Sequence, residues 1–71
     1  MKTIEEIRAG LGMSQKAFAE AIGLSLRAYC YRITGEREWT PRELIAIAKM
    51  NNGEVRIVTE EGTFDISIHE A

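Results

Sequence analysis

The sequence predicts a small α+β domain that is mainly α-helical and ends in a β-hairpin. In the first 52 residues apolar side chains recur every three or four positions, as at Phe18 and Ile22, which is the period of a helix with one buried face. After residue 52 the pattern changes to alternation, as at Phe64 and Ile66, which is the strand period. A chain of 71 residues supports one hydrophobic core. We therefore predict four to five helices followed by two antiparallel strands.

Capping residues mark where the predicted helices begin. Thr3 and Thr40 are each followed three residues later by glutamate, which is the capping-box pattern. Ser14 and Ser25 are simple N-cap candidates, because a serine hydroxyl accepts a hydrogen bond from an otherwise unpaired helical N–H group. Together with the apolar spacing, these caps predict helices over residues 4–10, 14–21, 25–34 and 41–51.

The C-terminal segment predicts a hairpin that needs a covering surface. Its strands are expected over residues 55–59 and 63–68, joined by a short turn that contains Gly62. Because an isolated hairpin is only marginally stable in water, its apolar face must pack on the chain's own helices or on a second copy. We favour a homodimer, since pairing also covers an exposed strand edge. The predicted dimer interface consists of Val55, Ile57, Phe64, Ile66 and Ile68.

The charges divide the chain into two parts of opposite sign. Residues 1–53 contain eight Lys and Arg against six Glu, a net charge of +2. Residues 54–71 contain one Arg against five acidic residues, a net charge of −4. Such asymmetry suggests different tasks for the two parts. We therefore predict that residues 1–53 bind the main ligand and that residues 54–71 form an acidic hairpin tail for dimerisation.

Several classes of protein are disfavoured by the composition. No apolar run approaches the roughly 20 residues that cross a membrane, and the N-terminus becomes acidic where a signal peptide would be apolar. A single cysteine, Cys30, excludes an internal disulfide, and His69 has no second ligand at metal spacing. No nucleophile or pair of acids is arranged for catalysis. We expect a cytoplasmic protein without enzymatic activity, cofactor, metal or small-molecule effector.

The most informative motif spans residues 14–34. The residues that carry it are Ser14, Gln15, Ala19, Gly23, Leu24, Ser25 and Gly35. Over residues 3–52 the chain resembles the phage repressor and Cro family of helix-turn-helix regulators. A small residue at position 19 lets two helices cross closely, and glycine at position 23 suits a turn with positive φ. The resemblance implies that the helix over residues 25–34 enters the DNA major groove, with a homodimer bound to a palindromic operator.

The same resemblance implies which residues contact DNA. We expect Arg27 to be the main base reader, because a guanidinium can bridge the O6 and N7 atoms of guanine. Phosphate contacts are expected from the start of the preceding helix and from the loop after the recognition helix. The predicted base-reading residues are Leu26, Arg27, Cys30, Tyr31 and Thr34. The predicted phosphate-binding residues are Gln15, Lys16, Arg32, Arg37 and Trp39.

Two departures from the family pattern leave a second interpretation open. The family has an apolar residue at position 32 and often Glu at position 33, where this chain has Arg32 and Ile33. Ile33 lies four residues after Tyr29, so a small rotation of the helix would restore its apolar face and bring Arg32 near phosphate. Leu26 replaces a polar residue. The alternative is therefore a protein-interaction module, such as an antitoxin-type or adaptor subunit. For a DNA-binding regulator the resemblance implies a phage or mobile-element origin, with a chromosomal origin left open.

Overall fold

Four short helices precede an antiparallel hairpin in the computed structural model, which describes residues 1–68. The elements are α1 (Ile4–Gly10), α2 (Gln15–Ala21), α3 (Leu26–Ile33), α4 (Pro41–Lys49), β1 (Glu54–Thr59) and β2 (Gly62–Ser67). The predicted α+β class is confirmed. Within residues 1–68 there are four helices, and none has the length and apolar composition to cross a membrane. His69 lies outside the described residues.

The predicted caps form and explain why the helices begin where they do. Both capping boxes are complete, at residues 3–6 and 40–43. In each box the threonine hydroxyl accepts a hydrogen bond from the glutamate backbone N–H, and the glutamate carboxylate accepts one from the threonine backbone N–H. The hydroxyls of Ser14 and Ser25 accept hydrogen bonds from the third residue of the helix that follows each of them. Each helix therefore starts within one residue of its predicted position.

All four helices and β1 contribute to one core. Its buried apolar residues are Ile4, Ile7, Phe18, Ala19, Ile22, Tyr29, Ile47, Ala48 and Val55. The Tyr29 ring is fully buried between two other aromatic rings, with centroid distances of 5.8 Å to Phe18 and 5.9 Å to Trp39. Both contacts are edge-to-face, the geometry that aromatic pairs prefer. Tyr29 therefore anchors α3 to the body of the domain.

The tight connection between α2 and α3 follows from two small residues. Ala19 is completely buried, and its carbonyl accepts a 2.8 Å hydrogen bond from the backbone N–H of Leu24. Gly23 has φ of 83°, a conformation that costs little energy only without a side chain. Both roles predicted from the sequence are confirmed, and they fix α3 relative to α2.

The base of the hairpin belongs to the core of its own protomer. Val55 pairs with Ile66 across the sheet and is completely buried, so its predicted place in a dimer interface is wrong. The helices of the same chain already cover its side chain, and Ile66 and Ile68 also pack against this core. The backbone N–H of Arg56 donates a 2.8 Å hydrogen bond to the Lys2 carbonyl, which ties the N-terminus to the edge of β1.

The tip of the hairpin remains uncovered. Ile57 and Phe64 are cross-strand partners, and Phe64 is 50% exposed. Val58, on the other face, is 65% exposed. Within residues 1–68 no strand pairs with the outer edge of β2. The apolar surface available to a second molecule is therefore near the tip of the hairpin and not at its base.

Candidate nucleic-acid interface

Helix α3 has one face in the core and one in solvent. Tyr29 is fully buried and Ile33 is half-buried against the core, as the four-residue spacing predicted. On the opposite side the structure exposes four of the five predicted base-reading residues and half-buries the fifth, Cys30. The exposed residues are Leu26, Arg27, Tyr31 and Thr34. This arrangement leaves a solvent-facing surface on the helix that the motif predicts to enter DNA.

A shallow concavity brings residues from α3 and the following loop together. Its volume is about 260 Å³, and Arg27, Tyr31 and Arg37 line it together with part of Arg32. The backbone N–H of Arg37 donates a 3.1 Å hydrogen bond to the Tyr31 carbonyl, which holds the loop against α3. Arg27 and Arg37 are both exposed. A cationic concavity beside a polar helix face suits a phosphate backbone.

The start of α2 presents a second pair of predicted phosphate contacts. Lys16 is exposed, whereas Gln15 is half-buried and its amide donates a 2.8 Å hydrogen bond to Glu5. Glu5 also accepts hydrogen bonds from the Tyr29 hydroxyl, at 3.1 Å, and from Arg8. This network joins α1, α2 and α3 through a single carboxylate. The sequence shows no periodic signal that would have revealed it.

The side chain of Arg32 is largely buried in an ion pair with Glu43. Its Nε donates to Glu43 at 2.7 Å, and its NH1 group donates to the Ala28 carbonyl at 3.2 Å. The two charged side chains are only 17% and 10% exposed. This pair gives Arg32 a structural role, and its predicted phosphate contact stays a prediction. Sequence analysis identified Glu43 as a capping residue only, because a partner eleven positions away leaves no local pattern.

The helix-turn-helix family profile matches residues 4–56, which is most of the chain. The chain belongs to this helix-turn-helix family. The family consists of DNA-binding regulators, including the phage repressor and Cro-like proteins, and is not a family of enzymes. No curated protein and no solved structure matches the chain.

Trp39 packs as a lid over the helix-turn-helix core. It is half-buried, and its ring meets the edge of Tyr29, as expected for an aromatic residue in the loop before α4. Most of its surface therefore contributes to stability, and contact with phosphate through the indole N–H stays a prediction. Among residues 1–68, no three potential metal-ligand side chains of His, Cys, Asp or Glu lie together.

A larger groove separates the hairpin tip from the end of α3 and the start of α4. Its volume is about 780 Å³, and its apolar walls include Ile33, Trp39, Leu44, Ile57 and Phe64. Its lining also includes charged residues of both signs, namely Glu38, Glu60 and Glu61 together with Arg32 and Arg37.

The hydrogen-bonded carboxylates of Glu5 and Glu43 should make the domain sensitive to acid. Burial alone would raise the pKa of Glu5 and of Glu43, but hydrogen bonds from their partners outweigh it and lower both pKa values. Their stabilising contribution is therefore present above the ordinary glutamate pKa of 4.5 and is lost as the pH falls through the lower folded pKa. We expect the melting temperature to fall as the pH drops from neutrality to below about 4.

Two substitutions and one control identify the groups responsible. Glu5→Gln and Glu43→Gln should each lower the melting temperature at pH 7 and flatten its dependence on pH. Glu60→Gln, in the exposed hairpin turn, should leave the pH profile unchanged. Thermal unfolding followed by circular dichroism measures all four proteins. Parallel profiles for the parent protein and the two core variants would contradict this account.

Proposed function

We propose that this chain is a sequence-specific double-stranded DNA-binding transcriptional regulator that places α3 in the major groove. The observation that supports the proposal is the solvent-facing side of α3, where Arg27 and Tyr31 lie next to Arg37. A helix fits the major groove, and its N-terminal residues reach base edges in this family of motifs. Arg27 is exposed in the first turn of α3, which supports this role.

The exposed side chains can be assigned different tasks. Arg27 reads guanine through two hydrogen bonds, and Leu26 packs on a thymine methyl group. Tyr31, Cys30 and Thr34 contact bases farther along the groove. Lys16, Arg37 and the free N–H of Gln15 bind phosphate and set the register of the protein on DNA. Binding of this kind represses transcription by occupying the operator, with no small-molecule effector, in the cytoplasm.

We further propose that two copies bind a palindromic operator. One helix-turn-helix unit makes few phosphate contacts, whereas two joined units gain affinity through a high effective concentration. The exposed part of the hairpin supplies the interface: Phe64 at 50% exposure, the neighbouring Ile57, and the free edge of β2. A second strand on that edge would also remove an aggregation hazard.

Salt dependence and selection from a random duplex pool test this proposal together. The logarithm of the binding constant should fall with the logarithm of the salt concentration, at a slope of about −4 to −7 for a dimer that neutralises five to eight phosphates. The selected sequences should contain two inverted half-sites whose centres lie about ten base pairs apart. A slope near zero on every duplex would contradict DNA binding, and a single unrepeated half-site would contradict the dimer.

A specific observation favours a second candidate function, a protein-interaction module of the antitoxin or adaptor kind. The 780 Å³ groove has apolar walls, and the exposed Phe64 and Val58 lie beside it. Apolar concavities of this size accept segments of other proteins. Heparin chromatography at two salt concentrations separates the candidates. Retention that weakens with salt supports the regulator, whereas salt-independent elution supports the interaction module.

A further inference from the structure

We propose that the ion pair of Arg32 and Glu43, here termed the clasp, positions Arg37 for contact with DNA phosphate without touching DNA itself. The inference rests on the proposed DNA-binding function. It assigns a task to Arg32, which occupies a position where the helix-turn-helix family has an apolar side chain. It also assigns a task to Glu43, which is the buried charged residue of the described chain.

The clasp joins the last turn of α3 to the first turn of α4. Glu43 Oε1 accepts hydrogen bonds from Arg32 Nε, at 2.7 Å, and from the Thr40 backbone N–H, at 3.1 Å. Arg32 NH1 donates to the Ala28 carbonyl at 3.2 Å. One carboxylate therefore serves both a helix cap and an interhelical ion pair. Displacement of either side chain would change the distance between the two helices.

The loop between these helices carries Arg37 and is fixed at three points. The Arg37 N–H bonds to the Tyr31 carbonyl, the Trp39 ring packs on Tyr29, and Thr40 belongs to the capping box that contains Glu43. Arg37 itself is exposed and lines the same concavity as Arg27. The position of its guanidinium relative to α3 therefore depends on the anchor that the clasp provides at the α4 end.

Burial makes the clasp sensitive to loss of either partner. Removing one member of a buried ion pair leaves an uncompensated charge in a poorly hydrated site, which costs far more than losing a pair at the surface. The side chains of this pair are 17% and 10% exposed. An apolar residue at position 32 would fill the same space without fixing the orientation of α4 relative to α3. A guanidinium that donates to two acceptors fixes this orientation, because its hydrogen bonds are directional. The ion pair therefore contributes more to the relative orientation of the two helices than to the free energy of folding.

The sign of one mutational effect separates positioning from simple electrostatics. Glu43→Gln removes a negative charge, so charge counting alone predicts tighter binding to DNA. The clasp predicts weaker binding, because a neutral amide at this position holds Arg32 less firmly than the carboxylate does. Arg32→Met should weaken binding about tenfold per half-site, which is the loss expected for one charged hydrogen bond to phosphate in each protomer. Glu38→Gln, an exposed acid on the same loop, is the matched control and should not weaken binding.

A double-mutant cycle with Arg37→Ala decides whether the effect passes through Arg37. Affinity for one operator duplex and its salt slope are measured for Arg32→Met, Arg37→Ala and the double variant. The proposal predicts that each single variant loses about 1.8 of slope, because both protomers of the dimer lose one phosphate contact, and that the double variant matches Arg37→Ala. Independent losses that add to about 3.6 would overturn it, because Arg32 would then contact phosphate directly. Unchanged affinity in Arg32→Met with a lower melting temperature would also overturn it.

Trp39 offers a readout that needs no DNA. It is the single tryptophan of the chain and lies in the sequence between Arg37 and Glu43. Arg32→Met and Glu43→Gln should shift its fluorescence to longer wavelength and increase quenching by acrylamide, with the melting curves confirming that each variant is folded. Unchanged Trp39 emission in both folded variants would overturn the inference. Absence of salt-dependent duplex binding by the parent protein would instead refute the proposed function, so the two failures are distinguishable.

Discussion

Tyr29→Ala should lose a large part of the free energy of unfolding, whereas Tyr31→Ala should keep nearly all of it. A domain of 71 residues has a free energy of unfolding of about 4–10 kcal/mol, and truncation of a buried aromatic residue costs about 3–5 kcal/mol. Tyr29 is completely buried between Phe18 and Trp39, so its loss removes both ring contacts. Tyr31 lies two residues away on the same helix but is 36% exposed. Urea unfolding followed by circular dichroism compares them.

A third variant separates the hydroxyl of Tyr29 from its ring. Tyr29→Phe keeps both edge-to-face contacts and loses the 3.1 Å hydrogen bond to Glu5, which should cost about 1 kcal/mol. Burial raises the pKa of Tyr29 most, and the negative charge of Glu5 raises it further. The hydroxyl is therefore protonated at neutral pH and donates its hydrogen bond to Glu5. Similar losses of stability for Tyr29→Ala and Tyr31→Ala would contradict the placement of α3.

Arg27→Ala should reduce sequence discrimination more than it reduces general affinity for DNA. Loss of a bidentate contact to guanine costs about 1–3 kcal/mol of discrimination, which is about 5- to 150-fold at one base pair. Arg27 is exposed in the first turn of α3 and forms no ion pair within residues 1–68, so its removal should leave the melting temperature unchanged. Competition between the operator duplex and single-base variants measures the effect.

Lys16→Ala is the matched control for base reading. Lys16 is exposed at the start of α2, where only phosphate is expected within reach. Its loss should weaken binding to operator and random duplexes alike and lower the salt slope by about 1.8 for the dimer, because each protomer loses one phosphate contact. If Arg27→Ala weakened every duplex equally and Lys16→Ala changed base preference, the assignment of α3 to the major groove would be wrong.

Local chemistry explains why much of this fold was predictable from the sequence. Capping boxes at residues 3–6 and 40–43 specify helix starts through bonds that span only three residues. The four-residue spacing of Tyr29 and Ile33 specified the buried face of α3 for the same reason. Gly23 and Ala19 specified the turn, since each satisfies a steric demand that few other residues meet.

Long-range contacts explain what the sequence did not reveal. Alternation in the hairpin identifies its apolar face but does not show what covers that face. The sequence therefore predicts Val55 in a dimer interface, whereas the helices of the same protomer cover it. The ion pair of Arg32 could not be predicted for a similar reason, because its partner Glu43 lies on another helix and forms part of a cap. Only the packing of α3 against α4 brings the two charges together.

The most direct test of the central claim is a nuclear magnetic resonance titration of the protein with its selected operator duplex. The account predicts that backbone amide shifts change most at residues 26–34, at Lys16 and in the loop around Arg37, and change little at the hairpin tip. Saturation should occur at one protein dimer per duplex. Shifts confined to the groove around Trp39 and Phe64, or no shifts at any duplex concentration, would contradict it.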